Sequence, residues 1–225
     1  MSQAPKEDII DKIVATIGPP FEKKGFSLKR KRLFECKDSH GNVQQYAISL
    51  SKLKGWFSLH LSLGIFNKLL LEKVNVILEK ALLDEAYPYP DVWDKKLIMD
   101  TVKVRTSSSF LTGLTDWRCF KKDDESLQEF NSRFFIWIRS FDSLDEIENW
   151  ESQLLQSVEY ATEWFAVTAK DDEWIIANTE YPALFLLKEK NRIDELARKY
   201  EKILSQARTK EDKEETELFY KYLTE

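Results

Sequence analysis

Between Phe26 and Phe66 the chain alternates apolar and polar residues more regularly than anywhere else. In Trp56–Phe66, the side chains of Phe57, Leu59, Leu61, Leu63 and Ile65 fall on one side of an extended backbone. Ser58, His60, Ser62 and Gly64 fall on the other. Tyr46, Ile48 and Leu50 alternate with Ala47, Ser49 and Ser51 in the same way. The pattern predicts three antiparallel strands, Phe26–Lys37, Val43–Lys52 and Trp56–Phe66. Asp38–Asn42 and Lys54-Gly55 supply the turns between them. The resulting meander has one oily face and one face of small, uncharged polar groups.

Elsewhere the apolar positions recur with a helical period. Ile9, Ile10, Ile13, Val14 and Ile17 predict a helix over Lys6–Thr16, stopped by Gly18-Pro19-Pro20. Leu70, Val74, Ile77 and Leu78 predict a second over Leu69–Leu83. Pro88 and Pro90 then force an irregular, aromatic-rich loop over Ala86–Trp93. The β-branched stretch Thr101–Thr112 predicts a strand, and Phe134–Ile138 a buried one. Ser143 with Glu146 three residues on reads as a capping box opening a helix to Phe165. Further helices are predicted over Glu173–Asn178, Pro182–Lys188, Asn191–Ala207 and from Thr209 to Leu223. The expected fold class is α+β: an antiparallel sheet packed with helices, and a helical C-terminal part. Residues 1–168 are expected to form the sheet domain and 169–225 a helical extension packed on it as one compact unit.

Composition adds limits more than identity. The 225 residues are 43% hydrophobic and 32% charged, the balance of a soluble globular protein. The net charge of −5 disfavours nucleic acid as a bulk partner. It is unevenly spread: 18 basic against 13 acidic residues up to position 105, and 16 against 26 beyond it. The longest apolar runs fall far short of the roughly 20 residues of a membrane span. No signal-peptide pattern opens the chain at Met1–Asp8, so a cytoplasmic location with free thiols is expected.

Candidate chemistry is sparse. His60 lies among Ser49, Ser51, Ser58 and Ser62, a constellation that would suit a general base beside hydroxyls, although no acid partner can be placed by spacing. Cys36 and Cys119 show no metal-ligand or redox spacing, and His40 falls in a turn. Lys23, Lys24, Lys29, Arg30, Lys31 and Arg32 crowd the first strand and its approach. They read either as a nucleic-acid patch or as the charged edge of a sheet. Asp123–Glu125 and Asp171–Glu173 lack the spacing of a calcium loop, and no phosphate-binding or serine-nucleophile motif is present. Neither catalytic residues, metal ligands nor a cofactor are assigned. Tyr87, Tyr89, Trp93 and Trp117, in or near irregular segments, read as interface anchors or as lids over the core. With Ser58, His60 and Ser62 they make up the expected binding residues.

The segment Lys24-Gly25-Phe26, the basic run after it, Phe34, the alternating strand through Ile48, Lys52, and Phe57 to Leu63-Gly64-Ile65 carry a resemblance. So do Tyr160-Ala161-Thr162-Glu163-Trp164-Phe165 and the helical hairpin after Pro182. Together, over residues 6–207, they resemble a bacterial family known as domain of unknown function 4304; residues 84–124 depart from it. The resemblance implies an α+β fold and brings no established activity. Some small bacterial α+β proteins of this general kind are immunity proteins that neutralise a toxin. The expectation is a non-catalytic, cytoplasmic protein-binding protein of that sort, with a basic toxin as partner. The alternatives are an enzyme using His60 or Cys36, and nucleic-acid binding through the basic first strand.

Overall fold

A computed structural model describes residues 6–39, 41–107, 112–136, 140–168 and 172–225. It has the expected α+β architecture. The chain forms two compact units, Met1–Phe66 with Thr112–Lys170, and Asn67–Leu111 with Asp171–Glu225. In this division residues 67–111 cluster with the C-terminal helices.

The first unit is built on an antiparallel sheet. Its strands are β1 (Ser27–Lys29), β2 (Leu33–Lys37), β3 (Val43–Leu53), β4 (Trp56–Phe66), β5 (Thr112–Leu114) and β6 (Ser140–Phe141). They run in the order β1-β2-β3-β4-β5, with β6 also paired to β4. β3 and β4 pair along their whole length, from Val43 opposite Phe66 to Leu53 opposite Trp56. Helices α1 (Lys6–Lys23), α4 (Leu127–Arg133) and α5 (Trp150–Thr168) complete the unit.

The core lies on the oily face. Phe57, Leu59, Leu61, Leu63 and Ile65 are all buried, as are Tyr46, Ile48 and Leu50 beside them. Phe21 of α1 centres an aromatic cluster, with ring centroids 5.0 Å from Phe26, 4.8 Å from Phe34 and 4.8 Å from Tyr46. The fully enclosed Tyr46 hydroxyl meets Ser157 Oγ of α5 at 2.8 Å, and Ser157 in turn donates to the Leu154 carbonyl at 2.6 Å. Burial pushes the Tyr46 phenol well above its ordinary pKa, so this hydroxyl stays protonated and donates.

Three expectations about this unit need correction. The helix expected to stop at Gly18-Pro19-Pro20 continues through both prolines to Lys23. The stripe Ile13, Ile17, Phe21 keeps four-residue spacing across them, and its burial outweighs the lost backbone bonds. The first strand is two strands, because Arg30 and Lys31 adopt left-handed φ of 49° and 60°. Arg32 N–H donates to the Lys29 carbonyl at 3.3 Å, and the basic run becomes a turn. Glu146 does not form a capping box with Ser143. Its carboxylate accepts from Asp142 N–H at 3.3 Å, only a 3-10 turn forms over Leu144–Glu146, and α5 starts at Trp150. Phe134 caps α4, and residues 137–138 of the expected strand lie outside the described residues.

The second unit is helical: α2 (Lys68–Leu82), α3 (Lys95–Arg105), α6 (Asp172–Asn178), α7 (Tyr181–Glu189), α8 (Ile193–Gln206) and α9 (Lys210–Thr224). The expected strand over Thr101–Thr112 is overturned in its first part by α3. Asp94 accepts from Leu97 N–H at 2.8 Å and caps a helix whose last turn carries Lys103 and Arg105. Thr209 and Asp212 close a capping box that starts α9. Tyr181 stacks on Phe219 at 4.3 Å and Tyr200 on Tyr220 at 4.0 Å, joining α7 and α8 to α9.

Candidate functional site: the open face of the sheet

The strand register decides which side chains share the second face of the sheet. Ser49 stands opposite His60, Ser51 opposite Ser58, and Ala47 opposite Ser62. At the end of the ladder Ser140 of β6 pairs with Ser58. Ser49, Ser51 and His60 are exposed, while Ala47, Ser58 and Ser62 are half-buried. The three expected binding residues on β4 thus come together on one surface, joined by Ser49 and Ser51 from β3.

The surface is framed rather than uniform. At the β3–β4 hairpin tip, Leu53 and Trp56 form a cross-strand pair and are 48% and 47% exposed. Gly55 takes φ of +95° in the turn between them. On the other side, Lys29, Leu33, Glu35 and Gln45 border a shallow hollow beside the Arg30 turn. Around His60, the side chains of Ala47, Ser49, Ser51, Ser58 and Ser62 carry no charge and are short. An approaching surface can therefore come close to the backbone over the β3–β4 ladder.

The geometry does not assemble a catalytic set around His60. Its imidazole makes no hydrogen bond or ion pair among the described residues. Cys36 pairs with Gln44 on the core-facing side of the sheet, opposite to His60. Burial, and then the Asp38 charge, push the Cys36 thiol up, away from the reactive thiolate. Cys119 is pushed up by burial and by Asp116. His40 and Asp171 lie outside the described residues.

The basic run is also partly spoken for. Arg32 Nη2 lies 2.5 Å from Glu7, and Lys24 Nζ lies 3.2 Å from Glu159. Lys29 lies on the short edge strand β1, where charge guards against edge-to-edge pairing.

The aromatic residues divide. Trp117 is fully buried, and its indole N–H donates to the Leu61 carbonyl at 3.0 Å. It is a core residue of the first unit, which corrects its expected role as an interface anchor. Trp117 opens a 3-10 turn over Trp117–Phe120, and its indole sits inside because its one polar atom finds a partner. Tyr87, Tyr89 and Trp93 are half-buried in the second unit and pack on one another, at 4.5 Å and 5.6 Å between successive rings. The Tyr87 hydroxyl donates to Glu215 at 3.2 Å, and burial together with that carboxylate lifts the phenol to about 12. Glu215 also accepts from Tyr181 at 2.8 Å and is gripped by both terminal nitrogens of Arg105. The loop aromatics form the wall of this cluster. Sequence reasoning missed Glu215, because an acid in a highly charged helix gives no sign of being the buried one.

Comparison with known protein families, curated proteins and solved structures returns no match to this chain.

Proposed function

We propose that this chain is a non-catalytic protein-binding protein that presents the open face of its sheet to a protein partner. The supporting observation is the surface centred on His60: the uncharged residues Ala47, Ser49, Ser51, Ser58 and Ser62 around it, with the exposed pair Leu53 and Trp56 at one end. Protein interfaces are depleted of charge at their centre and anchored by aromatic side chains, and this face has both properties.

The partner proposed is a basic protein, and neutralisation of a bacterial toxin is the form of binding that the resemblance suggests. The net charge of −5 supports it, since opposite charge speeds encounter. Action in the cytoplasm is part of the same reading, supported by two free cysteines. Among the described residues no helix is long and apolar enough to cross a membrane.

The test is affinity purification from the native host, with the neighbouring gene identified. The reading expects a stoichiometric basic partner that is lost when Ser49→Arg places a long charged side chain in the centre of the face. Recovery of no partner, from a chain encoded beside no toxin gene, would sink it.

A further inference from the structure

On the helical side of the first unit, α4 and α5 flank a cleft of about 1260 Å³. This exceeds the roughly 300–1000 Å³ of small-molecule sites and suits a length of chain. Part of its polar lining is neutral and unspent. Asn131 of α4, Asn149 before α5, and Ser152 and Gln156 within α5 all border it. None of these four side chains makes a hydrogen bond among the described residues. Phe135 and Leu155 add apolar contact, and Leu155 is 42% exposed.

Of the three charged residues that border the cleft, Arg133 and Glu159 are occupied, and Glu148 adds a carboxylate with no ion pair among the described residues. Arg133 is committed to Glu125 and to the Tyr160 hydroxyl. Glu159 takes the ammonium of Lys24. Gln153 is also consumed: its carbonyl oxygen accepts from Phe135 and Ile136 N–H at 2.7 Å and 3.0 Å, and its amide donates to the Glu148 carbonyl at 2.9 Å. That anchoring fixes the chain after α4 against α5.

We propose that this cleft binds an extended peptide segment through its main chain. A carboxamide carries one acceptor and two donors, so it can pair with both the N–H and the C=O of a peptide unit. Ser152 and Gln156 are one helical turn apart, about 6 Å along the axis. That is close to the roughly 6.6 Å at which an extended chain repeats the same side of its backbone. From Trp150 to Glu159 the helix spans about 14 Å, the length of about four extended residues. An oligosaccharide fits less well, because sugar rings stack on exposed aromatic faces and the cleft offers only the half-buried Phe135. Phe26 packs against Phe165, and Tyr46 reaches Ser157, so α5 covers the core face of the sheet. The cleft is thus distinct from the open face carrying His60.

The experiment is a titration of the full chain with a mixed library of acetylated, amidated pentapeptides, read on the side-chain amide NMR signals of Asn131, Asn149 and Gln156. A linear glucose pentasaccharide is titrated in parallel. Expected are shifts of these signals by peptide and not by sugar. Affinity for the best peptide should fall about tenfold with Gln156→Ala or Asn131→Ala, and about tenfold when alternate amides of the peptide are N-methylated. Ser49→Arg should leave this binding unchanged, so the result stands apart from the fate of the sheet-face reading. No shift by any peptide mixture, a response to sugar alone, or affinities indifferent to both variants and to N-methylation would overturn the proposal.

Discussion

Ser49 and His60 face each other directly across the β3–β4 ladder, and both are exposed. Each is therefore free of the core that Leu50, Leu59 and Leu61 build on the other side of the same strands. Stability and surface chemistry are separable at this point of the fold. His60→Ala and Ser49→Arg should each change unfolding free energy by no more than about 0.5 kcal/mol, as surface substitutions do. Urea denaturation checks this. A loss of several kcal/mol would mean that the face is packed in solution.

The Arg30-Lys31 turn places two side-chain-bearing residues at positive φ. Residues other than glycine pay steric strain there, and Asn-Gly is the sequence that such a turn favours. Replacing Arg30-Lys31 by Asn-Gly should stabilise the chain by about 1 kcal/mol, seen as a higher urea midpoint at unchanged slope.

Glu125 is bonded to Arg133, which holds its carboxyl down to about 2 from an ordinary 4.5. Between those values the unfolded chain binds the proton and the folded chain does not. The contribution is complete above about 4.5 and is lost as pH falls through 2. Glu125→Gln should therefore lower stability at pH 6, and the gap from the parent chain should narrow by pH 3. Urea midpoints at the two pH values measure it.

Glu215 has a side chain only 6% exposed and depends on Arg105, Tyr87 and Tyr181 for its hydrogen bonds. Arg105→Leu leaves that carboxylate enclosed without its countercharge and should cost about 3 kcal/mol. Adding Glu215→Gln should restore part of the loss, since the charge is then gone. A double-mutant cycle on thermal unfolding reads the coupling.

Much of this fold is visible in the residue pattern, and particular residues show where visibility ends. β4 runs from Trp56 to Phe66 as its alternation predicts, and Asn67 and Thr209 cap helices where the helical period begins. The period is strong there because one face is buried along the whole element. It misleads at Thr101–Arg105, where β-branched residues suggest a strand and the Asp94 cap decides for a helix. It misleads again at Pro19-Pro20, where a continuing stripe outweighs local propensity. For the candidate site, the sequence places Ser58, His60 and Ser62 on one face, but only the register brings Ser49 opposite His60. The burial of Trp117 depends on the Leu61 carbonyl, 56 residues away in the chain, which no local pattern reveals.

The most direct measurement of the central claim is site-specific crosslinking in the native host. A photoreactive residue replaces His60 at the centre of the open face or, as a control, Glu201, an exposed position on α8. The account predicts one discrete crosslinked protein from position 60, none of it from position 201, and its disappearance when Ser49→Arg is added. Capture from both positions alike, or capture that survives Ser49→Arg, would contradict it.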